Sequence, residues 1–334
     1  MSNLALPLVD ANPMSRPASP PAALASAGAS DIVVEAIRTR AGFEALEADW
    51  SDLFARAGSS THVFQSFNWC WHWCNHFLAS NDVAARGPRL AILAIRRAGR
   101  VVSIWPLAEE RSRGLTRLVW LGDPVSQYGD ALIDTTAISP AELATALADH
   151  ARRIGCHLLH LRKTRADAAV APVLAELGST IVAREEAPYL DLASAPDFAT
   201  YETRYSGHAR RNRRRLLRRL NEHGTAHFEY HSAGATARDL ATVGISMKRA
   251  QLKSKAEVSR AVHDERFYNF FADVADGRSR PAGVVVSALR SGGEIGAVQI
   301  GVAMKGRMAM HVIVTGSKFE RFGAGLLHLE STIR

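Results

Sequence analysis

Two segments of the chain match at a constant offset of 194 residues, and this repeat limits the folds that the sequence can adopt. Trp73 corresponds to Phe267, and Leu90–Ile95 corresponds to Val284–Leu289. The match continues without a gap as far as Ile104. Two unrelated helix–hairpin units would share some of these features, but the constant offset favours two copies of one module.

Each copy has the pattern of a helix, an antiparallel hairpin, a third strand, a helix and a last strand. The sequence therefore predicts an α/β (α+β) fold with two tandem domains, whose mixed, mostly antiparallel sheets are flanked by helices. A length of 334 residues agrees with two domains. We place the first domain at residues 31–190 and the second at residues 191–334, with residues 183–200 joining them.

The two ends of the chain give two further expectations. Residues 1–28 hold five prolines and seven alanines but only Asp10 and Arg16 as charges, so residues 1–30 are predicted to be a disordered tail. The last strand of the first copy, near His157–Leu161, would fall beyond Arg334 in the second copy. We therefore expect the second domain to be truncated at its C-terminus.

Composition excludes several classes of protein. Three cysteines make no disulfide framework, which points to a reducing, cytoplasmic location. No uncharged apolar run reaches about 18 residues, so we expect no membrane span. The formal charge of +8 has a local origin, because eight arginines and no acidic residue lie between Arg204 and Arg219.

The arginine-rich segment is predicted to be a helix that ends at Gly224. Leu216 and Leu220 form its narrow apolar stripe. Arginines such as Arg211 and Arg215 form a solvated basic face or bind an anion, either a phosphate-bearing substrate or nucleic acid. Nucleic acid is the weakest of these alternatives, because the helix has no aromatic side chains on which bases could stack.

A glycine-rich loop follows the last predicted strand, Met308–Val314, and leads into a helix at Gly325. Such a loop presents unpaired backbone N–H groups and the positive end of a helix dipole, an arrangement that suits a pyrophosphate. A plain loop with a glycine cap is the alternative. The residues that would form the site are Arg321, Phe322, Gly323, Ala324 and Gly325.

A second candidate site is the loop of the first domain that holds Asp123, Tyr128 and Asp130. Residues that favour turns explain such a loop, and the alternative is that it reaches the cleft between the domains and binds a substrate. The Cys and His residues at 70, 72, 74 and 76 do not indicate a metal site, because they point to opposed faces of one helix.

The order of several motifs along residues 31–334 resembles the GNAT acyltransferase superfamily, and more narrowly its BioF-like/CelD group, which is associated with cellulose and exopolysaccharide synthesis. The motifs are Phe64-Gln65-Ser66 with Trp69 and Trp73, Trp105-Pro106-Leu107, Leu121-Gly122-Asp123-Pro124, Tyr128-Gly129-Asp130, Arg210–Leu220, and Gly323-Ala324-Gly325-Leu326-Leu327. One position departs from the family, because Glu320 stands where its phosphate loop has Gln or Arg.

The resemblance implies tandem GNAT-like domains and an acyl-CoA-dependent N-acyltransferase, with acetyl-CoA or another acyl-CoA as co-substrate and no metal. The acceptor would be an amine of a sugar, a glycan precursor or another small metabolite. The CoA arm would lie along the strand that ends at Val314, near His311. We expect His311 to be the general base or a structural histidine, with Glu294 and Tyr268 as weaker candidates.

Two other functions fit a tandem GNAT-like chain. One is a Fem-type transferase that uses aminoacyl-tRNA to build peptidoglycan, although the sequence has no long heptad segment for the coiled-coil arm of those proteins. The other is a non-catalytic accessory protein of exopolysaccharide or cellulose production, in which the GNAT fold only binds.

Overall fold

The computed structural model describes residues 32–78, 87–112 and 114–334, and the predicted tail over residues 1–30 lies outside them. The described residues form a mixed α/β fold with three sheets. Residues 32–334 pack as one unit. No described helix is long and apolar enough to cross a membrane.

The N-terminal half holds the first five helices and eight strands. Its helices are α1 (Arg40–Ala45), α2 (Glu47–Ala57), α3 (Phe67–Phe77), α4 (Pro140–Arg153) and α5 (Ala171–Glu176). Its strands are β1 (Ile32–Ile37), β2 (Arg89–Leu90), β3 (Ile92–Arg97), β4 (Arg100–Trp105), β5 (Leu107–Ser112), β6 (Leu115–Trp120), β7 (Leu132–Ile133) and β8 (Leu158–Leu159).

The C-terminal half holds the remaining elements. Its helices are α6 (Phe198–Glu202), α7 (Gly207–His223), α8 (Ala235–Ser254), α9 (Arg260–His263), α10 (Glu265–Asp276) and α11 (Ala324–Ile333). Its strands are β9 (Ala226–His231), β10 (Val284–Ser291), β11 (Glu294–Met304) and β12 (Arg307–Thr315). Short 3-10 helices occur at His62–Gln65 and Ser317–Phe322.

The strands of the two halves pair in the same order and register. One sheet has the order β1-β3-β4-β7 and the other, read in the same direction, β9-β10-β11-β12. Val33 faces Arg96 in the first sheet, and His227 faces Arg290 in the second, at the offset of 194 residues. Both predicted hairpins are present, and each has a bulge immediately before these arginines.

The two arginines also make the same contacts. Arg96 binds Glu35, and Arg290 binds Glu229, which lies 194 residues further along the chain. Each guanidinium donates a second hydrogen bond to the carbonyl three residues on, at 3.2 Å in the first copy and 3.1 Å in the second. The repeat therefore extends from the sequence pattern to individual side-chain contacts.

The N-terminal half differs from the C-terminal half by a further sheet of order β2-β5-β6-β8. The sequence predicts one strand over Val101–Leu107, but Pro106 divides it into β4 and β5, which belong to different sheets. Proline has no backbone N–H for a ladder, so a strand ends readily there. In this further sheet β6 and β8 run parallel, and the other pairs are antiparallel.

Local sequence signals set several element ends. Ser66 begins α3, and its side chain accepts a hydrogen bond from the backbone N–H of Trp69, as the sequence predicts. Gly224 ends α7, also as predicted. The helix predicted over residues 42–56 is instead divided at Leu46 into α1 and α2.

The main core crosses between the two halves where α3 packs against α10. Trp69 of α3 contacts Phe270 edge to face, with ring centroids 5.0 Å apart, and lies 6.4 Å from Phe271. All three rings are fully buried. An aromatic cluster of this size contributes several kcal/mol, since truncating one buried Phe or Trp costs about 3–5 kcal/mol.

Polar contacts also join the halves around this aromatic cluster. Arg280 makes a two-pronged ion pair with Glu47, at 2.8 and 3.0 Å. On the α3–α10 contact, one carboxylate oxygen of Asp273 lies 2.9 Å from Nδ1 of His72 and 3.1 Å from Nε2 of His76. The hydrogen bonds from His72 and His76 hold the pKa of Asp273 well below its ordinary value.

We expect Asp273→Asn to lower the free energy of unfolding by about 1–2 kcal/mol at pH 5, because both histidines lose a charged acceptor. A carboxyl group with a lowered native pKa stabilises the fold above its ordinary pKa of 3.8, and this contribution is lost as the pH falls toward the native pKa. The difference between the variant and the wild type should therefore shrink between pH 5 and pH 3.

Urea unfolding at the two pH values measures this difference. Asp276→Asn, at the end of the same helix, is the matched control, because Asp276 pairs only with the exposed Arg278 among the described residues. An equal loss of stability in both variants, or a difference that does not depend on pH, would contradict the interpretation of Asp273.

Candidate functional site

The glycine-rich loop between β12 and α11 has a backbone that requires glycine at two positions. Gly323 has φ = 66°, in the left-handed region, and a Cβ there would lie 2.8 Å from Cδ1 of Leu216. A Cβ at Gly325 would collide with Oγ1 of Thr315. The loop therefore has no side chain at these two positions, where the chain enters α11.

The N-terminal end of α11 has no side-chain cap among the described residues, although the Gly323 N–H already donates a hydrogen bond to the Glu320 carbonyl. The first turn of this helix holds no acidic residue. At the corresponding helix of the N-terminal half, α4, Ser139 and Glu142 form a capping box, and the Glu142 carboxylate accepts the Ser139 backbone N–H at 2.9 Å. The positive end of α4 is thus occupied by the chain's own carboxylate, whereas that of α11 is not.

The side chains of the predicted pyrophosphate site mostly point into the protein. Val314 pairs with Val298 and lies in the main core, and Phe322 and Ala324 are buried in a smaller core beneath α7. Arg321 is exposed, with its guanidinium 4.7 Å from the centroid of the Phe322 ring. An anion at this loop would therefore meet backbone N–H groups rather than these apolar side chains.

The arginine-rich helix α7 lies beside this loop. Leu216 and Leu220, the predicted narrow apolar stripe, face the smaller core, and the neighbouring Leu217 is 43% exposed. The helix packs on α11, β9, β10 and the 3-10 helix at Ser317–Phe322. The apolar stripe of α7 is matched by residues of the C-terminal half.

The arginines of α7 have different surroundings. Arg211 and Arg215 are exposed, and Arg215 donates a hydrogen bond to Asn212. Arg213 is largely buried, with its guanidinium 3.4 Å from the centroid of the Tyr205 ring. Arg219 reaches the glycine loop, with its guanidinium 5.8 Å from the centroid of the Phe322 ring.

His311 lies in a β-bulge of β12. Val312 pairs with Ile300 and Met310 with Gly301, so His311 has no partner on β11. Strict alternation along the strand predicts that Ala309, His311 and Ile313 share one face. Because of the bulge they do not: Ala309 packs against the main core, whereas Ile313 is 44% exposed.

The bulge turns the imidazole of His311 toward the N-terminal half. Its Nε2 atom hydrogen-bonds to the carbonyl of Val125, and its ring centroid lies 4.9 Å from that of Phe271. Because a carbonyl only accepts, the proton of the neutral ring is on Nε2. The other ring nitrogen, Nδ1, is buried and has no hydrogen-bond partner among the described residues.

Burial lowers the pKa of His311 to about 4. The positive charge of Lys163 also lowers this pKa, whereas the hydrogen bond to Val125 raises it. His311 is therefore a neutral imidazole at pH 7, with an unprotonated Nδ1.

The loop of residues 122–130 connects the two halves at β12. Besides the contact of Val125 with His311, Gln127 donates a hydrogen bond of 2.6 Å to the carbonyl of Met310. Asp130 is buried beneath the loop, and its carboxylate accepts hydrogen bonds from the backbone N–H groups of Ala169 and Val170. The carboxylate of Asp130 thus anchors the loop from below.

The other side of this loop lines an open cleft of about 90 Å³ in the N-terminal half. Asp123 and Tyr128, two of the predicted substrate-binding residues, line the cleft, and Asp130 does not. Lys163 holds the loop in place, because its ammonium group reaches Asp123 Oδ1 at 2.9 Å and the carbonyl of Ser126 at 3.0 Å.

Tyr128 also lines a narrow slot between the halves, together with Val302 and Ala309 of the C-terminal sheet. The cleft and the slot therefore share Tyr128 as a wall. Sequence reasoning found Tyr128 but missed Lys163, Arg162, His160 and Arg117 of the cleft. The basic run that follows β8 was a signal for the first three, whereas Arg117 lies in β6.

Within residues 32–78, 87–112 and 114–334, no cluster of His, Cys, Asp or Glu side chains has the arrangement of a metal site. Cys70 and Cys74 are buried free thiols. His72 and His76 on the same helix face Asp273 instead.

A comparison with protein families agrees with this arrangement of strand, glycine loop and helix. Residues 207–334 match the family model of the acetyltransferase (GNAT) domain. This part of the chain is similar to GNAT acetyltransferase domains. The matched family includes BioF2-like and CelD-like proteins. The matched region begins at α7 and ends with α11, so it contains His311 and the glycine loop.

Three solved structures are distantly similar. A conserved protein of unknown function from Bacteroides thetaiotaomicron is 13% identical, with 86% of this chain and 83% of that chain covered and a TM-score of 0.45. The C-terminal DUF2156 domain of a protein described as a lysylphosphatidylglycerol synthetase from Agrobacterium fabrum is 11% identical, with 87% and 74% covered and a TM-score of 0.43.

The third is a GCN5-related glucosamine N-acetyltransferase region in a fungal multi-domain GH3 β-N-acetylglucosaminidase. It is 10% identical, with 92% of this chain and 34% of that chain covered and a TM-score of 0.38. No curated protein matches the sequence. Because all three TM-scores are low, the GNAT assignment rests on the family match of residues 207–334.

Proposed function

We propose that the chain is an acyl-CoA-dependent N-acyltransferase whose cofactor site is the first turn of α11. The observation that carries this proposal is the uncapped, positive end of α11 behind a loop with two obligatory glycines, within a region that matches the GNAT domain model. The pyrophosphate of CoA would bind the backbone N–H groups of Phe322–Gly325, and the Gly323 N–H would exchange its hydrogen bond to the Glu320 carbonyl for one to the phosphate. Arg211, Arg215 and Arg321 would contribute positive potential nearby, and Arg321 is the closest in sequence to these groups.

We infer that residues 31–190 are a second, GNAT-like copy that has lost this cofactor site. The equal strand order and the equal register at an offset of 194 residues support a common origin of the two halves. The capping box of α4 supports the loss of the site, because Glu142 would repel a phosphate at that helix end. The boundary between this copy and the C-terminal domain would lie between residues 190 and 191.

The acyl group would lie along β12, from Val314 toward the bulge at His311. Direct transfer requires an attacking amine, a group that stabilises the oxyanion and a group that accepts the amine proton. His311 is suited to the last role, because Val125 fixes its proton on Nε2 and leaves the lone pair on Nδ1. Nδ1 is buried, so the amine would reach it only if the side chains that cover it move while the hydrogen bond to Val125 stays in place.

The acceptor would approach from the N-terminal half, where Asp123 and Tyr128 line the cleft and Asp130 anchors their loop. The resemblance to the BioF-like/CelD group favours an amine of a sugar, a glycan precursor or a small metabolite, in the context of exopolysaccharide or cellulose synthesis. The use of acyl-CoA would place the reaction in the cytoplasm.

We expect Leu326→Asp to weaken CoA binding about tenfold or more, because it places a carboxylate in the first turn of α11, where the pyrophosphate would bind. Leu326 is 39% exposed, so the substitution leaves the core intact. Leu326→Asn, which has the same shape without the charge, is the matched control and should keep the wild-type affinity. Isothermal titration with CoA measures both variants.

Equal CoA affinities of the two variants would remove α11 from the cofactor site. A wild-type chain that binds no acyl-CoA would contradict the proposed activity and would favour a non-catalytic GNAT-fold binding module. Thermal unfolding should show that Leu326→Asp is folded, since an acidic residue in the first turn stabilises a helix by about 0.3–1 kcal/mol.

We expect His311→Gln to lower kcat about 10²–10⁴-fold with an unchanged Kd for acetyl-CoA, because the glutamine amide can still donate to Val125 but cannot accept a proton. Because the pKa of His311 is about 4, wild-type kcat should show no loss from protonation of this group between pH 8 and pH 5.5 and should fall only near pH 4. Thiol release from acetyl-CoA, measured with a panel of amino sugars, follows the rate.

The comparison with His311→Ala separates the two roles of this histidine. If His311 only positions the loop of residues 122–130, the glutamine variant keeps most of the activity and the alanine variant loses it. That result would overturn the role of His311 as the base.

A further inference from the structure

The cleft of the N-terminal half lies at the carboxyl edge of a parallel strand pair. β6 and β8 run parallel, with Arg117 beside Leu158 in their register. Trp120 ends β6, and His160 follows β8, so the segments after both strands form the walls of the cleft. The carboxyl ends of parallel strands are where ligands of α/β sheets generally bind.

The cleft belongs to the part of the N-terminal half that the repeat does not contain. β5 and β6 are inserted between β4 and β7, whereas β11 continues directly into β12 through the turn at Lys305-Gly306. If the inserted strands β5 and β6 served only to complete the packing of the fold, they would leave no open cleft beside them. The second sheet therefore adds a binding surface to the duplicated module.

The cleft is lined by more cationic than anionic side chains. Three cationic side chains line it, and two carboxylates balance part of this charge: Glu110 binds Arg117, with the shorter N–O contact at 2.6 Å, and Asp123 binds Lys163 at 2.9 Å. Arg162 is left with one contact, 3.7 Å from the Asp123 carboxylate, and its side chain is 62% exposed. The cleft thus has a net positive charge, carried by an exposed arginine with one long ion pair.

The remaining donors surround this arginine. His160, Arg117 and Lys163 belong to the same lining, whereas the Ser126 hydroxyl accepts a hydrogen bond from Nε1 of the buried Trp69. The volume of about 90 Å³ is several times the roughly 10–15 Å³ that a single water requires, so the cleft admits a headgroup while the rest of a ligand extends through its mouth. Several donors from separate segments around one cation suit a tetrahedral dianion better than a planar carboxylate.

We infer that this cleft binds the phosphate group of a phosphorylated acceptor, with Arg162 as its principal ligand. The role as an acceptor rests on the acyl transfer proposed above, whereas binding of the phosphate ester does not. Tyr128 separates the cleft from the slot at Val302 and Ala309, so an acceptor anchored by its phosphate would extend past Tyr128 toward β12.

Isothermal titration of the chain with glucose 6-phosphate, glucuronate and glucose tests this inference. We expect binding of glucose 6-phosphate, weaker binding of glucuronate and none of glucose. Arg162→Gln should weaken the binding of glucose 6-phosphate at least tenfold. Arg278→Gln is the matched control, because Arg278 is similarly exposed and has one ion pair at 3.3 Å, and it should bind like the wild type.

The Leu326→Asp variant separates this site from the cofactor site, because its α11 end is blocked. Glucose 6-phosphate should bind this variant as it binds the wild type, and Arg162→Gln should bind CoA as the wild type does. Absence of binding by the wild type, equal losses in Arg162→Gln and Arg278→Gln, or a loss in Leu326→Asp instead of Arg162→Gln would each overturn the inference. CoA affinity, measured in parallel, shows whether the proposed activity fails with it or stands.

Discussion

The packing of α3 against α10 is the contact on which the rest of the structure depends. It buries Trp69 against Phe270 and Phe271 and joins the cores of the two halves. Because the halves meet there, the loop of residues 122–130 is brought onto β12. The environment of His311, from its bond to Val125 to its contact with Phe271, follows from that placement.

The two halves have the same frame but differ where chemistry would occur. Their sheets agree in order, in register and in the arginine contacts at Arg96 and Arg290. They differ at the helix that follows the fourth strand of each sheet. In the first half Glu142 takes part in capping this helix, and in the second half no described side chain caps it at Gly323. In our proposal the C-terminal copy holds the cofactor, and the N-terminal copy has gained a cleft for the acceptor.

Much of this frame is predictable from sequence because it depends on local signals and on periodicity. The hairpins, the cap at Ser66 and the end of α7 at Gly224 follow from residue types at fixed spacing. The glycine loop before α11 is found in the same way. A resemblance carried by the order of motifs was enough to indicate the GNAT family, whose domain model residues 207–334 match.

The features that could not be predicted from the sequence depend on contacts between segments that are distant along the chain. The bulge at His311 is invisible to strand alternation, because an extra residue in one strand changes no pattern until its partner strand is known. The position of α7 depends on Leu216 meeting the loop at Gly323. The cleft requires Lys163 to meet Asp123, 40 residues earlier in the chain.

The most direct test of the account is backbone amide exchange with and without acetyl-CoA. We predict that acetyl-CoA slows exchange at the first turn of α11, residues 324–326, and leaves the first turn of α4, residues 141–142, unchanged. Protection at both helices, or at neither, would contradict the claim that the two copies have diverged into a cofactor-binding half and a half that no longer binds it.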